Sequence, residues 1–174
     1  MPNYEFAPGN EKNSYIFVTK PGWLYTVSFK ESAGYFTGNK ILHNSSLVFE
    51  MSFFRSPNNT TIPPEKNDSL VRETILTILL NHLEGQGHLP LYFFICYSAD
   101  EKEAARSNLF MQWYESTDPL DWLFYSYDLQ DSNSTIYFGL FVNLNHPYAS
   151  VIPGEFENFV QKEKNVWKEL FRRR

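Results

Sequence analysis

The run Leu91–Tyr97, Leu-Tyr-Phe-Phe-Ile-Cys-Tyr, constrains this chain more than any other stretch. A strand with one wet face alternates apolar and polar residues, whereas one that is apolar at every step has to be covered on both faces. The run therefore reads as an interior strand with material packed above and below it. A helix follows directly. Asp100 is placed to cap it, Glu103 three residues on completes a capping-box-like pair, and Glu101 suits the positive end of the helix dipole. Ala105, Leu109 and Trp113 then form one stripe, and Arg106, Phe110 and Tyr114 the neighbouring one. Asp118 and Pro119 end it.

The remaining elements arrange themselves around that strand and helix. Ser14–Thr19 reads as a strand, Pro21 and Gly22 as a turn, and Leu24–Lys30 as a second strand with Tyr25, Val27 and Phe29 on one face. Glu31–Ser46, rich in Gly, Asn and Ser, reads as a loop. Leu47–Phe54 alternates again, with Leu47, Phe49, Met51 and Phe53 opposite Glu50 and Ser52. The breaker-rich Ser56–Lys66 precedes a helix capped by Asn67, Asp68 or Ser69. Its buried stripe runs through Leu70, Val71, Thr74, Ile75, Ile78, Leu79 and His82, and Gly85 or Gly87 stops it. Trp122–Leu129 and Thr135–Val142 form a hairpin, and Asn143–Ile152 is irregular. Pro153 then opens a last helix whose apolar face holds Phe156, Phe159, Val160, Trp167, Leu170 and Phe171.

The expected order is β-β-β-α-β-α-β-β-α, an α+β or mixed α/β sandwich with a mostly antiparallel sheet. Its 174 residues fit a single domain and support a sizeable core without staples. Cys96, the only cysteine, lies inside the apolar run and reads as a small buried hydrophobe, which points to a reducing, cytoplasmic compartment.

The N-terminal residues lack the apolar segment of a secretory signal, and no apolar run nears the roughly 18 residues of a membrane span. The Asn-x-Ser/Thr triplets at Asn44, Asn58, Asn59, Asn67 and Asn133 accordingly read as turn chemistry. A net charge of −5 argues against a whole-surface grip on nucleic acid. Aromatics at 18% have to fill a core or leave a sticky surface, and the core is the expectation.

The charged constellations are small. Asp100 stands at the carboxyl end of the central strand, where ligands collect in α/β sheets, and Arg106 lies within reach of an anion or of Glu103. The element order is similar to that of the ribonuclease-H-like fold, whose members hold two metal ions on clustered carboxylates. That likeness implies Glu73, Asp100 and Glu155 or Glu157 as the acids. The first strand, Ser14–Thr19, supplies none, which breaks the pattern.

Asp100-Glu101-Lys102 has the Asp-x-Lys spacing of restriction-type nucleases but lies on a helix start. The histidines His43, His82, His88 and His146 show no zinc spacing, and His82 and His88 read as solvated or dipole-stabilising. No phosphate-binding glycine loop, nucleophile elbow or cofactor motif occurs, so no cofactor is expected. Lys162, Lys164, Lys168 and Arg172–Arg174 alternate with acids and read as a solvated face.

Lys66, Asp68, Cys96, Asp100, Arg106, Phe110, Trp113 and Tyr114, within Ile62–Tyr114, resemble the pattern of a bacterial, Bacteroidetes-type family of unknown function. In that pattern a Lys-x-Asp precedes a helix, an apolar strand ends in Cys-Asp, and a further Asp, an Arg and a Phe-x-x-Trp-aromatic close follow. Tyr97 stands where the family carries its first aspartate. The resemblance implies a stand-alone bacterial cytoplasmic protein and no particular activity.

The combined reading is a non-catalytic interaction or ligand-binding protein. Asp100, Arg106, Trp113 and Tyr114 are its binding candidates, and a protein partner or a homodimer its partner. The alternative is a metal-dependent phosphodiesterase or nuclease-like enzyme, degenerate or active, using Asp100 and Glu73.

Overall fold

In a computed structural model, residues 3–32, 48–64, 68–96, 103–117, 121–130 and 135–162 are described. Among them are β1 (Phe6–Pro8), β2 (Ser14–Val18), β3 (Trp23–Glu31), β4 (Val48–Pro57), α1 (Ser69–Gln86), β5 (Leu91–Cys96), α2 (Glu103–Thr117), β6 (Trp122–Gln130), β7 (Thr135–Asn143) and α3 (Ile152–Lys162). This is an α+β protein with mostly antiparallel pairing, in the expected order with the three-residue β1 added before it. The described residues fall into two compact units, Met1–Lys30 with Glu50–Gly87, and Glu31–Phe49 with His88–Arg174.

In the first unit β1, β2, β3 and β4 are successive neighbours. The β2–β3 register sets Tyr15 opposite Val27 and Phe17 opposite Tyr25, so one face collects Tyr15, Phe17, Tyr25, Val27 and Phe29. Of these, all but Tyr15 are buried. Helix α1 closes over this face through His82, whose ring lies parallel to Phe29 with centroids 4.0 Å apart and meets Tyr15 edge-on at 6.4 Å. Placed by spacing on the apolar stripe but read by type as solvated or dipole-stabilising, His82 is buried to 4% exposure, because it falls on the same helical stripe as Ile75, Ile78 and Leu79. The stripe's geometry overrides the residue's polarity.

Asp68 caps α1. One carboxylate oxygen accepts from Leu70 N and Val71 N at 2.9 and 3.3 Å, and the other accepts the Tyr4 hydroxyl at 2.8 Å. The N-terminal strap is fixed further by Tyr4 N donating to Thr74 Oγ1 and by the Tyr4 ring stacking on Phe17.

In the second unit β7 lies between β5 and β6, antiparallel to both. Strand β5 is covered on both faces, as its lack of alternation predicts, and Cys96 is buried in it. On one side Leu91 and Phe93 join Phe138, Leu140, Val142 and the α3 residues Ile152, Phe156 and Val160 in a continuous core that includes Val48. On the other, Phe94 stacks on Phe110 of α2 at 3.9 Å and on Phe124 of β6 at 5.9 Å. Gly139 is the register partner of Phe94, and a Cβ there would collide with the Phe94 ring and come within 2.8 Å of Phe124. A strand-interior glycine is required here because an aromatic ring occupies the side-chain space.

Candidate functional site

The residues singled out for chemistry divide sharply. Asp100 lies outside the described residues, as do His43, Trp167, Leu170 and Arg172–Arg174. Arg106 and Trp113 belong to α2, but their side chains lie outside what is described. Tyr114 is half-buried: its hydroxyl donates to the Trp122 carbonyl at 2.9 Å, and its ring tilts against Phe124 and Phe141 at 5.5 and 6.2 Å. It ties α2 to the start of β6. Glu73 sits on the rim of α1 with Arg72, whose guanidinium donates to one of its oxygens at 3.0 and 2.6 Å. Glu155 occupies the first turn of α3, where a carboxylate suits the dipole. No cluster of three or more metal-ligating side chains occurs among the described residues.

What the structure does assemble in the second unit is a tightly bonded loop between β7 and α3, read from sequence only as irregular. Asn143 is buried and organises it: its side-chain oxygen accepts Asn145 N at 2.9 Å and its carbonyl accepts His146 N at 3.0 Å. Such self-bonding by Asn is the usual chemistry of a turn. The chain then folds through successive turns, Ala149 N donating to the His146 carbonyl and Val151 N to that of Tyr148, each at 2.9 Å. His146 is the hinge pin. Its Nδ1 accepts Tyr148 N at 3.1 Å, and its ring lies 6.1 Å from that of Tyr148.

An imidazole accepting at Nδ1 is neutral, and its electrostatics agree. Burial lowers the His146 pKa; a hydrogen bond with the Leu89 backbone opposes that shift and nearby His88 adds to it. This same bond ties the loop to the segment before β5.

Several large apolar side chains of this loop and of the segment before β5 are exposed. Leu144, Tyr148 and Val151 are 49%, 53% and 43% exposed, and Leu89 is 44% exposed. Single exposed apolar residues are ordinary, but several on one internally hydrogen-bonded loop are the kind of surface that binds something. Periodicity could not have found them, since a turn-rich segment has no repeat that sorts inside from outside. Their only signal in sequence is Leu, Tyr and Val within a stretch otherwise made of turn formers.

Elsewhere, Tyr127 donates its hydroxyl to the Pro153 carbonyl at 2.9 Å. Burial, with help from Glu157 and Tyr125, pushes its pKa up to about 12, so it is a neutral structural donor. In the first unit the Arg55 guanidinium lies over Trp23, 5.7 Å from the ring centroid, and Trp23 Nε1 donates to the Ile62 carbonyl at 2.8 Å.

No family model matches the chain, and no curated protein does either. Among solved structures, that of a CoA-dependent acyl-homoserine lactone synthase, MesI, is similar over 90% of this chain and 71% of its own, with a TM-score of 0.38 and 11% identity. A likeness that slight carries no argument about activity. No described helix is long and apolar enough to cross a membrane.

Proposed function

We propose that this chain is a non-catalytic interaction or ligand-binding protein of the bacterial cytoplasm, and that it engages a protein partner through the rim formed by Leu89, Leu144, Tyr148 and Val151. The observation that carries this reading is the combination of exposed apolar side chains and internal hydrogen bonding in one loop. Large apolar side chains stand in solvent on a backbone whose amides are bonded within the loop. A surface ordered before contact loses little conformational freedom on binding, which is what a docking site requires. Asp100 and Arg106 are the charged members of this reading, and the family resemblance over Ile62–Tyr114 supports a bacterial origin.

The test uses an apolar reporter dye such as anilinonaphthalene sulfonate with the unaltered folded chain. Dye fluorescence should rise on binding and fall several-fold when Leu144, Tyr148 and Val151 are all changed to serine, with circular dichroism unchanged. Dye binding that ignores the triple change removes the rim from consideration. In parallel, metal-dependent hydrolysis of bis(4-nitrophenyl) phosphate that is lost in Asp100→Asn would replace this reading with the phosphodiesterase alternative.

A further inference from the structure

The outer edge of β6 carries a second surface, separate from the rim. Strand β6 is the last strand of its sheet, and no described strand pairs with its free side. Its nine residues, Trp-Leu-Phe-Tyr-Ser-Tyr-Asp-Leu-Gln, match β7 from Trp122↔Asn143 to Gln130↔Thr135 without a bulge. Edge strands are ordinarily protected by proline, lysine, bulges or shortness, because unpaired amides and carbonyls recruit another strand. Here none of those devices is present.

The direction of the free backbone groups follows from one hydrogen bond. Leu144 N donates to the Asp121 carbonyl at 2.7 Å, one step beyond the Trp122↔Asn143 pair, so Asp121 and Leu144 form a hydrogen-bonded pair. Such pairs alternate along an antiparallel ladder. Leu123, Tyr125, Tyr127 and Leu129 therefore bond to β7, while Trp122, Phe124, Ser126, Asp128 and Gln130 turn their N–H and C=O groups outward. The Trp122 carbonyl already accepts the Tyr114 hydroxyl and has a second lone pair to offer.

We infer that β6 pairs with β6 of a second copy of this chain, antiparallel, about a two-fold axis at Ser126. Two of the four residue pairs that flank it are identical, Tyr125 with Tyr127 and Leu123 with Leu129. Leu123 meets the partner strand's Leu129, Tyr125 meets its Tyr127, and Ser126 faces its own copy, as a two-fold interface demands. The axis falls on an outward-bonding residue, so every outward amide and carbonyl meets its counterpart. The Leu–Leu and Tyr–Tyr pairs fall at the closely spaced, non-hydrogen-bonded positions, where side chains touch best.

Charge agrees. Asp128 is the only ionised side chain in β6, and it faces the partner's Phe124, so within the strand no carboxylate opposes another. A slip of two residues opposes Leu with Tyr and leaves strand ends unpaired. Two strands side by side bury an area at or below the small end of specific interfaces, about 1,200 Å², so the dimer dissociates on dilution through the micromolar range.

Sedimentation velocity on the full chain, from low to high micromolar, should show the mass rising from one chain to two. Ser126→Lys and Ser126→Glu each set like charges face to face on the axis at an exposed position, and each should raise the dissociation constant by about tenfold or more. An equimolar mixture of the two should associate again. A chain that stays monomeric throughout, a dimer untouched by either change, or a mixture that fails to recover overturns the inference.

Hydrogen exchange of the unaltered protein supplies an independent arm. Raising concentration should protect the amides of Phe124, Ser126 and Asp128 and leave those of Tyr125 and Tyr127 unchanged. Uniform or absent protection across the strand also overturns it. None of these results depends on the dye test of the loop rim.

Discussion

Three residues show how local chemistry is settled by neighbours. Asp68 uses both carboxylate oxygens, one for the first amides of α1 and one for Tyr4. Asp68→Ala should cost about 1–2 kcal/mol in chemical denaturation, near the upper range for a lost cap, and Tyr4→Phe less. Gly139 has no room for a methyl group beneath Phe94, so Gly139→Ala should destabilise by about 1–3 kcal/mol through overpacking.

His82 is the third. Burial lowers its pKa from 6.5, so the unfolded chain binds a proton more readily than the folded one. Its contribution to stability is complete above pH 6.5 and is lost as pH falls toward the folded value. His146 is shifted in the same direction, so His82→Phe should reduce the acid-side slope of stability against pH without abolishing it. Urea titrations at several pH values would show this; an unchanged slope would mean that His82 does not titrate with unfolding. The sequence narrowed the cap to Asn67, Asp68 or Ser69, because capping is a local geometry of a few residues, and the structure picks Asp68. The burial of His82 was legible only in its position on the apolar stripe, and its polarity concealed what its spacing indicated.

At the scale of elements, periodicity did most of the work. Strand β3 alternates and buries Tyr25, Val27 and Phe29, while β5 does not alternate and is enclosed on both faces. Helix α3 is anchored by Phe156, which contacts Phe93, Tyr127 and Phe138 at once. Phe156→Ala should therefore cost about 3–5 kcal/mol, measured by thermal or urea unfolding. A loss below about 1 kcal/mol would mean that α3 is held mainly by its other contacts. The candidate site was less legible. Tyr114 was singled out for a binding role, and its ring and hydroxyl instead meet Phe124, Phe141 and Trp122 within the fold. Glu73, considered as a metal acid, is engaged by Arg72. The ring contacts of Tyr114 with Phe124 and Phe141 join segments distant in sequence, which leave no spacing to read, whereas the partner of Glu73 is its own neighbour, Arg72.

For the molecule as a whole, the described residues form two compact units, and the second owes its order to β5 and β7, enclosed by α2 on one face and α3 on the other. Hydrogen exchange should find the slowest amides of that unit in Leu91–Cys96 and Leu140–Val142, where neither water nor an edge reaches the backbone. Faster exchange there than in β6 would contradict the burial pattern. By itself the sequence determined the elements after β1, their order, the interior character of β5 and the place at which α1 is capped. Each of these depends on residues within a turn or two of one another, and backbone geometry converts such spacing directly into faces and ends. Tertiary structure alone decided that a ring fills the space above Gly139, that the Asn143–Val151 loop holds its apolar side chains in solvent, and which backbone groups of β6 point outward. Those outcomes depend on register and on contacts between distant segments, and the free energy of a contact belongs to the pair that makes it.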